Sequence, residues 1–212
     1  MCIICVSKQG IEQPSTARIR TMFKNNPHGA GYMHVKNDRV IIHKGFMDCD
    51  EFLRQLETEN FTADDVVIYH FRISTQAGVN PEMTHPFPLS SVTEHLKALD
   101  VECACGIAHN GVIHMTSVAG KTDMSDTALF IQKYIPHILR TPEDLRSPEC
   151  MTILKELIGF SKLAILDQSG YVATVGYFIN SDGGLLYSND TYKERQAIRY
   201  KPAHLKQFQL AL

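Results

Sequence analysis

The order of strand-like and helix-like segments is the feature that most limits the fold of this chain. Short polar turns at 36–39 and 167–170 join strand-like runs into hairpins. Hairpins favour antiparallel sheets over the alternating strand and helix pattern of a parallel sheet. Helix-like segments lie between the sets of strands, where they can cover the outer faces of two stacked sheets. We therefore predict an α+β fold, a four-layer αββα sandwich of two stacked, mainly antiparallel sheets.

Apolar periodicity and end signals place the individual elements. Predicted helices carry apolar residues at i, i+3 and i+4 or begin after a capping side chain. They cover 16–25, a short segment after Asp48, a segment from Ser125 to Ile135, and 148–158. Predicted strands are rich in β-branched and aromatic residues. They cover 2–7, 31–35, 40–44, 66–71, 104–108, 162–166, 171–177 and 185–187.

One long segment has no periodic pattern. Residues 72–89 contain three prolines and several small polar residues. Loops of this length in compact domains are usually functional or disordered. We expect a functional loop, because Arg72, Thr75, Asn80 and His85 are concentrated in it.

Composition limits the classes of partner. The chain has 212 residues, of which 44% are hydrophobic and 21% charged, which is ordinary for a globular domain. Lys plus Arg number 21 against 23 Asp plus Glu, so nothing indicates a nucleic-acid partner. Neither a signal peptide nor a run of about 18 apolar residues is present, so we expect a cytoplasmic protein without a membrane partner. With no low-complexity linker or internal repeat, we expect a single domain over 1–212.

Cysteine and histidine usage predicts neither a metal nor a cofactor. The ten histidines are scattered, and none forms His-Glu-x2-His or another ligand pair on a helix. The six cysteines are expected to be reduced, since a cytosolic chain of this size does not need disulfides. Cys103 and Cys105 flank Ala104 in a predicted strand, and spacing of two residues would place both thiols on one buried face.

Cys2 follows the initiator methionine. Removal of Met1 would give one residue both a thiol and a free α-amine. An α-amine with a pKa of about 7.7 to 8.0 can act as the base for a thiol with a pKa of about 8.5, so such a residue can attack an amide. The alternative is that Cys2 simply opens a buried strand, since the run from Cys2 to Val6 is continuously apolar. Both interpretations can hold together.

Four short motifs occur in a characteristic order. They are Met1-Cys2, the stretch His70-Phe71-Arg72-Ile73-Ser74-Thr75, then His109-Asn110-Gly111, and Ser125-Asp126-Thr127. Together they resemble the class II glutamine amidotransferases, the N-terminal nucleophile (Ntn) glutaminases whose domains occur in glucosamine-6-phosphate synthase and asparagine synthetase. The resemblance implies the Ntn-hydrolase fold and a type-2 amidotransferase domain without an attached synthase domain.

The resemblance also implies catalytic roles for three residues. Cys2 would attack the side-chain amide of glutamine, release ammonia and form a thioester that water hydrolyses. The Asn110 side chain and the Gly111 backbone amide would stabilise the oxyanion of the tetrahedral intermediate. An Asn-Gly pair is also a common turn, which is the competing interpretation of these two residues.

Four further residues match substrate-binding positions of the family. Arg72 would bind the α-carboxylate of glutamine, for which a planar guanidinium is suited, and Asp126 would bind its α-ammonium group. The alternatives are a surface cation after a strand and an acid favoured at a helix start. Thr75 matches a substrate-contacting threonine, and His85 matches a His-Pro pair near the site, with loop packing as an equal alternative.

The chain departs from the family pattern at two places. The usual Cys-Gly start is Cys2-Ile3, and the common Arg-Trp-x-Thr-His stretch has Gln76 in place of histidine. The second difference affects substrate identity more than reaction class. The sequence therefore predicts a cysteine-dependent glutamine amidohydrolase that passes ammonia to a separate synthase partner or releases it. The alternatives are an Ntn cysteine amidase acting on a γ-glutamyl or other amide, and a catalytically silent interaction module of the same fold.

Overall fold

The computed structural model describes residues 2–74, 78–114, 123–181 and 183–194. The strands in these ranges are β1 (Ile3–Ser7), β2 (Ala30–Lys36), β3 (Arg39–Phe46), β4 (Val67–Phe71), β5 (Phe87–Pro88), β6 (Asp100–Cys103), β7 (Cys105–Asn110), β8 (Lys162–Asp167), β9 (Val172–Val175), β10 (Ile179–Asn180) and β11 (Leu186–Tyr187). The α-helices are α1 (Thr16–Asn25), α2 (Cys49–Glu59), α3 (Thr93–Lys97), α4 (Asp126–Lys133), α5 (Ile135–Ile138) and α6 (Pro148–Ile158). Two 3₁₀ segments cover Pro81–Met83 and Pro142–Arg146.

The strands form two antiparallel sheets. A seven-stranded sheet has the order β10-β11-β1-β4-β2-β3-β6, and a four-stranded sheet has the order β5-β7-β8-β9. Every pairing between neighbours in these sheets is antiparallel. In the described part of the chain, no helix is long and apolar enough to cross a membrane.

Strand alternation divides the core into layers. In β1, Ile3 and Cys5 pack with the apolar residues of α1 and α2, whereas Ile4 and Val6 face the other sheet. The central strand is therefore covered on both faces, which explains its continuous apolar run. On the far side, α4 and α6 pack against β7, β8 and β9. The predicted α+β arrangement of two stacked antiparallel sheets with helices outside them is confirmed.

Local signals in the sequence set several element boundaries. The helix predicted over 16–25 is α1. The Asp48 carboxylate accepts a hydrogen bond from the Glu51 N–H at 2.9 Å and begins α2. The Ser125 hydroxyl accepts one from the Ala128 N–H at 3.2 Å and begins α4. Asn37 and Asp38 have φ values of 51° and 56°, which are the positive angles that a tight hairpin turn requires.

Two predictions of local structure were wrong. Cys103 and Cys105 do not share a strand, since Cys103 ends β6 in the larger sheet and Cys105 begins β7 in the smaller one. The chain changes sheets between them, so the two-residue spacing does not put both thiols on one face. The helix predicted from Ser125 to Ile135 ends earlier, at Lys133, and Pro136 lies in the separate helix α5. Proline lacks the N–H that would continue the first helix.

Candidate active site

The candidate site lies where the start of β1 meets the end of β4. These strands are antiparallel neighbours, with Ile3 opposite Phe71. Cys2, immediately before β1, therefore lies beside the residues that follow β4. The motifs at the two positions are about 70 residues apart in sequence and are brought together by strand pairing.

The Cys2 thiol contacts the backbone of Ile73. The Ile73 N–H donates to Sγ at 3.3 Å, and the thiol donates to the Ile73 carbonyl at 3.5 Å. The Cys2 carbonyl accepts a hydrogen bond of 2.6 Å from Asn189 Nδ2. Burial raises the pKa of the Cys2 thiol, while the Ile73 N–H and the positive charge of Arg72 act in the opposite direction. The sulfur is held in place and is predominantly a neutral thiol.

Arg72 extends its guanidinium into the same region. Its backbone is fixed by Gly29 and His28, with N–H···O distances of 2.8 and 2.9 Å. The side chain is buried and donates to the Gly78 carbonyl at 3.3 Å and to Ser74 Oγ at 3.4 Å. Burial lowers the pKa of Arg72, and the charges of Cys2 and Asp126 oppose that change. Among the residues that the structure describes, no carboxylate forms an ion pair with Arg72, so this cation is available to an anionic ligand.

Asn110 lies at the end of β7 and is buried between the sheets. Its Nδ2 is 2.9 Å from Ser188 Oγ, which also accepts a hydrogen bond of 2.8 Å from the Ile4 N–H. The Oδ1 atom of Asn110 is buried without a partner among the described residues. The two ends of an amide are assigned from their hydrogen bonds. The reversed orientation lets the Ser188 hydroxyl donate to Oδ1 and leaves Nδ2 as a free donor.

Gly111 has a backbone conformation and a packing environment that other residues do not tolerate. Its φ is +144°, and a Cβ atom at this position would lie 2.7 Å from Ser161 Cβ. The close approach of Ser161 therefore requires glycine. Asn110-Gly111 is both the end of a strand and a specialised backbone position.

Asp126 is the first residue of α4. Its two oxygens accept hydrogen bonds from the Ile113 N–H at 2.9 Å and the Thr127 N–H at 2.8 Å. The carboxylate thus links the helix start to the segment that follows Gly111. Its charge acts on Arg72, as expected for two groups that face one region.

The structure places His85 in the core. Its Nδ1 lies 2.9 Å from His70 Nε2, which in turn lies 3.0 Å from the His109 carbonyl oxygen. Only 5% of His85 is exposed, so its visible role is in packing the loop against the strands. Thr75, the other loop residue predicted to contact substrate, lies outside the described residues.

Sequence patterns did not identify Ser188 and Asn189. They follow β11, a two-residue strand that pairs with β1 across about 180 positions of sequence. Ser188 contacts Asn110 and Asn189 contacts Cys2. The strand itself was predicted over 185–187, but its apolar residues give no information about the roles of the two polar residues that follow it.

Comparisons with known proteins identify the fold. No protein-family model and no curated protein matches the chain. Among solved structures, glutamine phosphoribosylpyrophosphate (PRPP) amidotransferase from B. subtilis, complexed with ADP and GMP, aligns with a TM-score of 0.50 and 16% identity. A structure described as the allosteric regulatory enzyme of purine biosynthesis aligns with a TM-score of 0.50 and 14% identity.

The chain has the fold of the matching part of these two solved structures. The alignments cover 79% and 89% of this chain but only 35% and 42% of the two solved chains. The chain therefore spans less than half the length of the structures that it matches. The expected resemblance to class II Ntn amidotransferases is confirmed at the level of fold.

Proposed function

We propose that this chain is a glutamine amidohydrolase that uses Cys2 as an N-terminal nucleophile. The observation that carries the proposal is the contact of the Cys2 thiol with the backbone of Ile73, the residue after Arg72, whose buried guanidinium acts electrostatically on that thiol. A nucleophile and a cation for a carboxylate are then placed at one site. The fold shared with a glutamine PRPP amidotransferase supports the same reaction class.

The reaction begins once Met1 has been removed. The neutral α-amine of Cys2 accepts the thiol proton as Sγ attacks the amide carbonyl carbon, so the raised pKa of the resting thiol does not prevent attack. The negative charge that develops on the amide oxygen is stabilised by Asn110 Nδ2, in the orientation that leaves it free, and by the Gly111 N–H. The ammonium form of the α-amine then donates a proton to the leaving nitrogen, and ammonia departs.

A thioester between Cys2 and the glutamyl group remains. Water, deprotonated by the same α-amine, attacks the thioester and releases glutamate with the free thiol. During both steps Arg72 holds the α-carboxylate of glutamine and Asp126 holds its α-ammonium group, each with Coulomb attraction in a partly buried setting. The ammonia is then passed to an acceptor or released.

The deciding experiment measures glutamate formation from glutamine by purified protein whose intact mass shows that Met1 is absent. Cys2→Ala is expected to abolish activity. Cys150→Ala is the matched control, because this half-buried cysteine lies in α6 and not at the site. Equal glutamate formation by wild type and Cys2→Ala would reject the proposal.

Arg72 distinguishes glutamine from other amides. Loss of the two-pronged guanidinium in Arg72→Lys is expected to raise KM for glutamine by about tenfold or more, since bidentate charged pairs are roughly twice as strong as neutral hydrogen bonds. Hydrolysis of an amide that lacks an α-carboxylate should be unaffected. An unchanged KM for glutamine would favour an amide without an α-carboxylate as the substrate.

A further inference from the structure

A second group of polar side chains lies on the outer face of the larger sheet, which is the face that does not pack against the smaller sheet. His34 on β2 and His43 on β3 face α2, whose last residue is Glu59. His34 is paired with Val67, the first residue of β4, whereas the candidate active site follows the last residue of that strand. The group is therefore separate from the Cys2 site.

The donor atoms of this group converge. One ring nitrogen from each histidine and one oxygen of Glu59 all lie within 4.8 Å of one another. His43 Nε2 and Glu59 Oε1 are 3.7 Å apart. His34 is only 4% exposed, and its Nε2 has no hydrogen-bond partner within the described ranges. A buried ring nitrogen without a partner is costly unless something binds it.

Neighbouring side chains hold two of these donors in position. His43 Nδ1 lies 2.6 Å from Asp100 Oδ1, so a proton on Nδ1 leaves Nε2 with its lone pair toward Glu59. Tyr32 and Gln55 donate to Glu59 Oε1 at 3.0 and 3.1 Å. A carboxylate behind a histidine is the usual outer partner of a metal-binding imidazole, because it fixes the tautomer and the ring orientation.

We propose that His34, His43 and Glu59 bind a divalent transition-metal ion, preferentially Zn²⁺. Two imidazoles and a carboxylate are typical zinc ligands, and metal–ligand bonds of about 2.0–2.1 Å put tetrahedral ligands about 3.3 Å apart. The His43 Nε2–Glu59 Oε1 distance of 3.7 Å is close to that value, and the donor atoms, which all lie within 4.8 Å of one another, would move together when the ion binds. Three protein ligands leave the fourth position for water or an exogenous group.

The protonation state of His34 suits this role. Burial lowers the pKa of His34, and the positive charge of Lys36 acts in the same direction while Glu59 opposes it. The ring is therefore neutral at pH 7, as a metal ligand must be. Bound metal would join the C-terminal end of α2 to β2 and β3. The helical spacing rules that predicted no metal do not detect ligands on two strands and a helix.

The test uses tag-free Cys2→Ala protein, which removes the N-terminal thiol as a competing ligand and makes the result independent of glutaminase activity. The protein is stripped with a chelator, reloaded with Zn²⁺ or Co²⁺ and freed of excess metal. Bound metal is measured by elemental analysis, and the ligand field of Co²⁺ by visible absorption. We expect a single metal ion per chain and an intense tetrahedral Co²⁺ spectrum.

Variants assign the ligands. His43→Gln and Glu59→Gln should each weaken metal binding by more than a hundredfold, and Asp100→Asn by about ten- to a hundredfold. His137→Gln is the matched control, since this exposed histidine lies in α5 and should leave binding unchanged. Circular dichroism verifies that each variant is folded.

Melting temperature gives an independent readout. Metal at about a hundredfold excess over its dissociation constant should raise the melting temperature of the stripped protein by about 5 °C or more, and not that of Glu59→Gln. A stripped protein that binds no metal would overturn the proposal. So would binding that is equal in Glu59→Gln, His43→Gln and the His137 control.

Discussion

Asn110 has an amide whose two ends lie in different environments. Ser188 Oγ faces one end, and the other end is buried without a partner in the described part of the chain. The Ser188 hydroxyl already accepts the Ile4 N–H, so its own proton is available for Asn110 Oδ1. Reversing the amide from the orientation in which Nδ2 donates to Ser188 Oγ satisfies both groups and directs the Asn110 NH₂ group away from Ser188. The unpaired end is then a donor prepared for an anionic oxygen.

Asn110→Asp tests this role with almost no change of shape. A carboxylate cannot donate a hydrogen bond and repels a developing oxyanion, so kcat for glutamine should fall by about 10²- to 10³-fold or more with little change in KM. Asn180→Asp adds the same charge at an exposed position of β10 and should keep full activity. Steady-state kinetics of both variants provides the measurement. A KM effect without a kcat effect would contradict the oxyanion role.

Gly111 supplies the second proposed hydrogen-bond donor, and its position in the structure accommodates only glycine. Its φ of +144° and the approach of Ser161 both oppose a side chain. Gly111→Ala should lower the free energy of unfolding by about 2 kcal/mol or more, because strain and a clash combine, and it should displace the N–H from the site. Gly159→Ala shares a positive φ of +58° but has open space around it, so its cost should be about 1 kcal/mol. Urea unfolding of the two variants separates the cost of the steric clash from the cost of placing a side chain at a positive φ.

At the scale of elements, periodicity predicted the elements that have enough residues to show it. Helices α1 and α6 have the predicted bounds, because each has an apolar face and a terminating signal. The strand β5 has only two residues, so it has no measurable period and was not predicted. The apolar run at 185–187 predicted β11, but the pairing of β11 with β1, and with it the contact of Ser188 with the candidate site, depends on residues far away in sequence.

Gly106 lets the two sheets approach each other. A Cβ atom on this β7 residue would lie 2.6 Å from Met33 Sδ and 3.2 Å from Ile42 Cδ1. Gly106→Val should therefore destabilise the protein by about 1–3 kcal/mol through overpacking. Gly78→Val is the control, since nothing lies within 4 Å of a Cβ there, and its effect should stay within about 0.5 kcal/mol. Equal unfolding free energies for the two variants would show that the sheets separate without cost.

Across the whole molecule, three buried histidines connect the two sheets. His70 and His109 lie on β4 and β7, and His85 lies on the loop between these strands. Burial lowers the pKa of His70 to about 3 and that of His109 to about 4, and it holds that of His85 well below its usual value. His70 Nε2 approaches both the His85 ring nitrogen and the His109 carbonyl, so a single proton on that nitrogen serves both contacts. The folded state therefore contains neutral rings.

These depressed pKa values predict a specific acid sensitivity. Between the folded pKa values and the unfolded value of about 6.5, the unfolded chain binds protons that the folded chain excludes, so stability is fully present above about pH 6.5 and decreases as pH falls toward 4. Each histidine contributes up to about 1.4 kcal/mol per pH unit in that window. Urea unfolding at a series of pH values measures the slope of the unfolding free energy against pH.

A variant tests the part played by His85. His85→Asn keeps a polar atom near His70 and removes one titrating ring, so the slope should decrease by the amount expected for one proton, about 1.4 kcal/mol per pH unit. A slope that His85→Asn does not change would mean that His85 is already charged in the folded protein.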